Sequence, residues 1–240
     1  MELYIAGGVG EHGRNCFFLQ NGGDAILVDC GLMAGSDDPL PRLTESQIRK
    51  LKAVFLTHSH ADHTGALPWL LRQGYTGPII STTPTLQQLP FIVQNAVALE
   101  QVAPRNEKCN GITWGLSGHC EGSVWLKLDW DDKAILFSGD YTEQSAVYPC
   151  DVLRNQVADL AVLDCAYGHD STLWNDSVTA AAAAVENLLE KTPIVFLPVP
   201  KYGRGLDLLL QIRRRLPYVP LYGDAHFCKQ TEIALVDGKW

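Results

Sequence analysis

One hexapeptide constrains this chain more than any other feature: residues 58–63 read His-Ser-His-Ala-Asp-His. The apolar run 53–56 before it predicts a buried strand that ends at Thr57, and the apolar stretch 66–71 after it predicts a helix. Imidazoles and a carboxylate packed this closely are typical metal ligands. The sequence therefore predicts a metal site in a strand-to-helix loop, where a rigid scaffold can hold ligands open to solvent.

The spacing within the hexapeptide favours two neighbouring metal ions over one. His58 and His60 are two residues apart and point the same way on extended backbone, so they would bind the first ion. Asp62 and His63 are adjacent and diverge unless the chain turns between them, so they would bind the second. A histidine-rich surface loop and a single structural zinc remain alternatives. Structural zinc sites usually contain cysteine, and no Cys-x-x-Cys pair occurs in the sequence.

Length and composition predict a globular protein. The 240 residues are 46% hydrophobic and 19% charged, enough for one large domain or for one domain and part of another. No apolar run is long enough to cross a membrane, and residues 1–13 lack the features of a secretory signal. The seven scattered cysteines indicate reduced thiols and a cytoplasmic location.

The charge distribution bears on possible partners. A net charge of −8 argues mildly against a protein that grips nucleic acid by bulk electrostatics. It does not exclude a nuclease, because carboxylates that hold metals contribute to that total. Positive charge is concentrated late in the chain, at Lys201, Arg204 and Arg213–Arg215. The alternative for the three arginines is a solvated helix face.

The first two thirds of the chain repeat one pattern, in which an apolar strand is followed by a polar residue and a turn. We expect the polar groups to gather at one edge of an α/β sandwich. Predicted helices cover residues 46–52, 66–74 and 85–103, the last interrupted by Pro90. Predicted strands cover 2–6, 15–20, 25–28, 53–57, 78–81, 112–116, 123–128, 134–137 and 160–163.

The composition changes after Gly168. An alanine-rich helix is predicted over 177–190 with Ser177 as its cap, and a second helix over 206–216. Strands are predicted at 194–197 and 219–222. This βαβ pattern predicts the start of a second domain with a parallel sheet, so we expect domains at 1–170 and 171–240.

Two residues outside the hexapeptide are candidates to complete the metal site. His119 lies in a glycine-flanked turn between two predicted strands, and Asp140 ends a buried strand directly after Gly139. A carboxylate at that point could bridge two metals through its two oxygens. The alternatives are a structural histidine and an aspartate that caps a turn.

These residues, in this order, resemble the metallo-β-lactamase fold superfamily, and the wider sequence resembles its β-CASP branch of nucleic-acid-processing enzymes. Residues 7–15 and 28–31 resemble the start of ribonuclease J. The strand end at 163–168 is similar to an acidic motif of the branch. Residues 198–209, where Gly203-Arg204-Gly205 opens a helix, resemble an element early in the β-CASP insert.

The resemblance implies roles for the individual residues. One metal would be held by His58, His60 and His119, and the other by Asp62 and His63, with Asp140 as the bridge. Asp29 and Asp164 would orient ligands from the edge of the site. Two divalent ions are implied, zinc foremost and manganese as the other choice.

The chain also departs from the branch. There the insert is longer, and later sequence returns to complete the first domain and supplies further histidines, one of them a ligand of the second metal. His169 and His226 are the only later histidines here, and neither stands in a matching motif. The expectation is a truncated chain, or a natural short form with an incomplete second metal shell.

The leading hypothesis is a metal-dependent phosphodiesterase that acts on RNA or DNA, with RNA as the expected partner. Asp62 would accept a proton from the attacking water, and Asp62 and Asp140 would be its catalytic carboxylates. Residues Gly203, Arg204 and Gly205 would bind a substrate phosphate at a helix N-terminus. An ordinary glycine-rich turn is an equal alternative for that loop.

Two other functions stay open on the sequence. The same metals could serve a hydrolase of thioesters, lactones or β-lactams. The chain could also be a non-catalytic module that oligomerises or is completed by a partner chain, because missing sequence would leave apolar sheet surface exposed.

Overall fold

The computed structural model describes residues 1–236, which divide into two compact units. Unit one comprises residues 1–117, 122–141 and 152–166. Unit two comprises residues 118–121 and 142–151 and the chain from Tyr167 onward. The domains expected at 1–170 and 171–240 stay a prediction, and the last four residues of the second lie outside the described part.

A mixed sheet of six strands forms one layer of unit one. Its strands follow chain order, β1 to β6, with β1 to β3 antiparallel and β3 to β6 parallel. The parallel half places the carboxyl ends of β3 and β4 side by side, which brings Asp29 next to the hexapeptide. The strands are β1 Glu2–Gly7, β2 Cys16–Asn21, β3 Asp24–Val28, β4 Leu51–Phe55, β5 Ile79–Ser81 and β6 Ala96–Ala98.

A second sheet has four strands in the order β10-β9-β8-β7. These are β7 Ile112–Leu116, β8 Val124–Trp130, β9 Lys133–Phe137 and β10 Leu160–Val162. One buried cluster contains Phe17 and Phe55 from the first sheet together with Leu126 and Phe137 from the second, so the two sheets pack face to face. Each buried side chain of this size contributes roughly 2 kcal/mol through removal from water.

Helices cover the other face of the first sheet, where Ile48, Leu67 and Leu70 join a separate buried cluster. The first helix begins with a capping box, in which Thr44 and Gln47 satisfy each other's backbone N–H groups. This layering confirms the predicted α/β sandwich. The helices of unit one are α1 Glu45–Lys50, α2 Ala61–Thr64, α3 Leu67–Arg72, α4 Thr83–Gln88 and α5 Leu99–Val102.

The helix predicted over 85–103 is largely wrong. Helix α4 ends before Pro90, which cannot donate to a continuing helix. Residues 96–98 form strand β6 instead, because they pair with β5. Pairing with a neighbouring strand overrides the local preference for a helix.

Unit two is built on helices α6 Trp174–Leu189, α7 Gly205–Arg215 and α8 Ala225–Val236. Ala182 and Val185 of α6 pack against Ile212 of α7 in a small buried cluster. The prediction that Ser177 caps this helix is wrong, because α6 begins three residues earlier and has Leu173 as its N-cap.

The two strands predicted in unit two are wrong for the described residues. Residues 194–197 and 219–222 are extended or irregular and pair with no strand. Several of their side chains are largely exposed: Ile194 is 62% exposed, Phe196 89% and Tyr222 94%. The apolar pattern alone cannot make a strand, since a strand needs a neighbour for its backbone hydrogen bonds.

Within residues 1–236, no helix combines the length and the apolar character that a membrane crossing requires.

Candidate metal centre

The hexapeptide follows strand β4 and turns directly into a helix. The sequence predicted a loop between a strand and a helix that starts at residue 66, and the structure adds a short helix, α2, within this segment at Ala61–Thr64. The helical turn brings together the adjacent pair, whose Asp62 Oδ2 and His63 Nε2 atoms are 3.7 Å apart. His58 and His60 also converge, with 3.1 Å between Nε2 of the first and Nδ1 of the second.

Asp29 fixes the orientation of the His63 ring. Its Oδ2 atom lies 2.8 Å from His63 Nδ1, so this nitrogen donates and Nε2 is directed to the site. The Thr57 backbone N–H and hydroxyl donate to the two oxygens of the same carboxylate, at 2.8 and 2.9 Å. Asp29 has a φ of 59°, a left-handed conformation that non-glycine residues rarely adopt. The structure therefore places Asp29 where the sequence analysis expected a ligand-orienting carboxylate.

His63 is surrounded by negative charge. Burial lowers its pKa, but the charges of Asp29 and Asp140 and the hydrogen bonds to them outweigh burial and hold the pKa well above its ordinary value. A site that attracts a proton this strongly also suits a divalent cation, which would displace that proton on binding.

Asp140 faces both predicted metal groups. Its Oδ1 atom is 3.2 Å from His63 Nε2, and its Oδ2 atom is 3.8 Å from His58 Nε2. The Ser117 hydroxyl donates to the Asp140 backbone carbonyl at 2.7 Å and anchors the turn after β9. One carboxylate oxygen is thus turned toward each group, which is the arrangement that a bridging ligand requires.

The candidate ligands fall into two groups that share His58. Within each group, one ligand atom from each residue lies within 4.8 Å of the others. Neutral imidazole and carboxylate donors at this separation fit divalent ions such as zinc or manganese. Within unit one the first group contains His58, His60 and Asp140, and the second contains His58, Asp62 and His63. The role of His119 as a further ligand of the first group stays a prediction.

Asn15 and Thr57 also contact the site, although the sequence pattern predicts no role for either residue. The Asn15 backbone N–H donates to the Asp62 carbonyl at 2.8 Å, and its Nδ2 lies 3.0 Å from His63 Nε2. Gly31 permits this packing, because a Cβ there would fall 1.7 Å from the Asp62 carbonyl oxygen. Asn15 lies in the motif 7–15, on which the resemblance rests. That motif is the sequence signal that could have identified Asn15 as a site residue.

The loop before Asn15 is held by an ion pair. Arg14 makes two hydrogen bonds of 2.7 Å to the Glu11 carboxylate and a third, of 2.9 Å, to Asp38. The bond to Arg14 lowers the pKa of Glu11 to about 2. This loop, together with Asp62, His63 and Asp140, lines a cavity of about 660 Å³. That volume is within the range of small-ligand sites.

Asp164 lies on the wall of that cavity, but its carboxylate is engaged with backbone. Its Oδ2 accepts from the Tyr141 N–H at 3.2 Å and its Oδ1 from the Ala166 N–H at 2.9 Å. These bonds shape the turn after β10. No hydrogen bond from Asp164 to a candidate ligand side chain occurs among residues 1–236.

The predicted phosphate loop lies in unit two. The Arg204 guanidinium stacks on the rings of Tyr167 and Trp174, 5.1 and 5.0 Å from their centroids. The first turn of α7 already contains a carboxylate, because the buried Asp207 accepts from Ala146 N–H at 2.7 Å. The Asp207 carboxylate favours the structural alternative for the helix end, and the phosphate role stays a prediction.

Comparison with known proteins identifies the family. Residues 9–188 match the model described as "Metallo-beta-lactamase superfamily", which is most of the chain. The chain belongs to the metallo-beta-lactamase superfamily. The predicted superfamily is therefore confirmed, and the hexapeptide, His119 and Asp140 all fall within the matched range.

Several curated relatives similar to this chain are named as transcription termination factors or ribonucleases. Transcription termination factor FttA of Methanosarcina mazei is 27% identical over 97% of this chain and 43% of its own length. The FttA of Cenarchaeum symbiosum is 41% identical over 88% of this chain and 39% of its own length. Ribonuclease TTHA0252 of Thermus thermophilus is 24% identical over 94% of this chain and 58% of its own length. The chain thus spans about two to three fifths of the length of these relatives.

Proposed function

We propose that this chain is a metal-dependent phosphodiesterase that cleaves RNA. The observation that carries the proposal is the pair of ligand groups sharing His58, with the Asp140 oxygens turned toward both. Relatives named ribonuclease and endoribonuclease support RNA as the substrate class. Zinc is the first choice of metal and manganese the second, because the donors are imidazoles and carboxylates without cysteine.

Different residues would bind each of the two divalent ions. His58, His60 and His119 would hold the first, Asp62 and His63 the second, and Asp140 both. When bound, such ions would lower the pKa of a water molecule and neutralise the charge that develops on phosphoryl oxygens. Asp29 keeps the His63 ring in the tautomer that presents Nε2 to the site.

Asp62 has the position of a proton acceptor. It lines the 660 Å³ cavity and is anchored through its own carbonyl by the Asn15 backbone N–H. In the proposed reaction the oxygen of water would bond to phosphorus and the bond to the leaving nucleotide oxygen would break. The proton of the water would pass to Asp62 and from there to that leaving oxygen. Preorganised groups of this kind contribute to catalysis because they need no rearrangement during the reaction.

Three finer predictions belong to the same proposal: a cytoplasmic location, assembly as a homo-oligomer or with a completing partner chain, and RNA binding by Arg204. The stacking of Arg204 between two aromatic rings supports the last, because such a cluster can also contact nucleobases.

Substrate comparison tests the proposal against its main alternative. Purified protein loaded with zinc or manganese is offered a 5′-phosphorylated single-stranded RNA and a panel of thioesters, lactones and β-lactams. We expect RNA cleavage that chelation abolishes and metal restores. Turnover of the small molecules without RNA cleavage would replace the nuclease by a small-molecule hydrolase.

A further inference from the structure

The loop before α7 packs against the short segment that carries His119, and both belong to unit two. Gly203 has a φ of 98°, and a Cβ there would lie 3.0 Å from the His119 carbonyl oxygen and 3.3 Å from Cys120 Cβ. Both the conformation and the space therefore demand glycine. Any side chain at residue 203 would push against the backbone of His119 itself.

A second contact holds Gly203 in place. Its backbone hydrogen-bonds the hydroxyl of Tyr148, whose ring is almost fully buried. Tyr148 packs with Val147, Leu206 and Leu210 in one buried cluster. The position of Gly203 is thus set by a core that joins α7 to residues 147–148.

A third contact ties the same core to α7 through a buried carboxylate. Asp207 accepts from the Ala146 N–H at 2.7 Å and from the Ser145 hydroxyl at 2.9 Å. The Ser145 oxygen in turn accepts from the N–H groups of Val147 and Tyr148, at 3.2 and 2.9 Å. A buried carboxylate with these partners fixes the first turn of α7 rigidly against residues 145–148.

We propose that Gly203 is a positioning residue for metal binding, which sets the backbone of the proposed ligand His119. The inference rests on the proposed two-metal centre. It gives Gly203 a role that needs no substrate phosphate, and it explains the glycine by its contact with His119. Displacing a ligand by a few tenths of an ångström weakens a metal site, because coordination distances tolerate only about 0.2 Å.

The test compares Gly203→Ala with Gly74→Ala. Gly74 has a similar φ of 91° but no atom within 4 Å of its added Cβ, so both variants carry the same backbone penalty and only one meets His119. Zinc stoichiometry and affinity are measured by chelator competition, and folding by circular dichroism. We expect Gly203→Ala to lose at least tenfold in affinity for one of two ions, and Gly74→Ala to bind as the unmodified protein does.

Tyr148→Phe provides a second test of the positioning role if Gly203→Ala does not fold. It removes only the hydroxyl that bonds Gly203, and we expect a smaller loss of affinity for the same ion. Equal zinc binding by the unmodified protein, Gly203→Ala and Tyr148→Phe would overturn the positioning role and leave the proposed function intact. An unmodified protein that binds no zinc or manganese would remove both.

Discussion

The hexapeptide 58–63 and the segments 194–197 and 219–222 were all interpreted from local sequence, with opposite outcomes. The hexapeptide lies where β4 ends beside β3, in a sandwich whose two sheets are both formed by described residues. The other two segments are apolar in sequence. They nevertheless pair with no strand among the described residues, and they expose Phe196 and Tyr222. A motif is predictable when the scaffold that orients it is formed by the same sequence, whereas an apolar run becomes a strand only beside another strand.

Asp140→Ala should have the largest effect, because it removes the carboxylate that faces both ligand groups. We expect RNA cleavage to fall by roughly a thousandfold or more, since removal of a central catalytic group has effects of this order. Metal content should fall as well, while the circular dichroism spectrum stays unchanged. Asp132→Ala, at an exposed aspartate, is the matched control; cleavage retained by the Asp140 variant would remove its bridging role.

Core substitutions sharpen the contrast in packing. Phe18 is 2% exposed and Phe196 89% exposed. Phe18→Ala should lower the free energy of unfolding by about 3–5 kcal/mol through cavity formation. Phe196→Ala should change it by less than about 0.5 kcal/mol. Chemical denaturation measures both; a large loss in the Phe196 variant would mean that this side chain is covered in solution.

Asp29→Asn tests the group behind His63. The amide keeps the shape but loses the charge that fixes the histidine tautomer, so affinity for one of the two metals should fall by about 10–100-fold. Isothermal titration of zinc into the metal-free protein measures the change. Asp24→Asn, at the exposed start of the same strand, serves as control, and equal affinities in the two variants would deny Asp29 its orienting role.

Arg204→Ala should have the smallest effect. We expect RNA affinity to weaken by about three- to tenfold, since one contact of this type contributes around 1 kcal/mol, while metal content stays unchanged. Fluorescence anisotropy with a labelled RNA measures the affinity, and Arg214→Ala at an exposed arginine of α7 is the control. If both variants bind RNA as the unmodified protein does, the stacked arginine is a structural element of unit two.

The sequence predicted the sandwich and the convergence of the ligands because strand periodicity and residue spacing are local properties. It also predicted a ligand-orienting role for Asp29. The Asp29 carboxylate lies 2.8 Å from His63 Nδ1, and the role itself stays a prediction. It did not predict helix α2, the contacts of Asn15, or the packing of Gly203 against His119. Those depend on the approach of segments that are distant in the chain, which no local pattern encodes.

The number of metal ions bound per chain tests the central claim most directly. Protein purified without chelator and reloaded with zinc is analysed by elemental mass spectrometry, with the Asp140→Ala variant alongside. The account predicts two ions per chain, and fewer in the variant. Zero ions per chain, or equal binding by the two proteins, would contradict a two-metal centre built on His58 and Asp140.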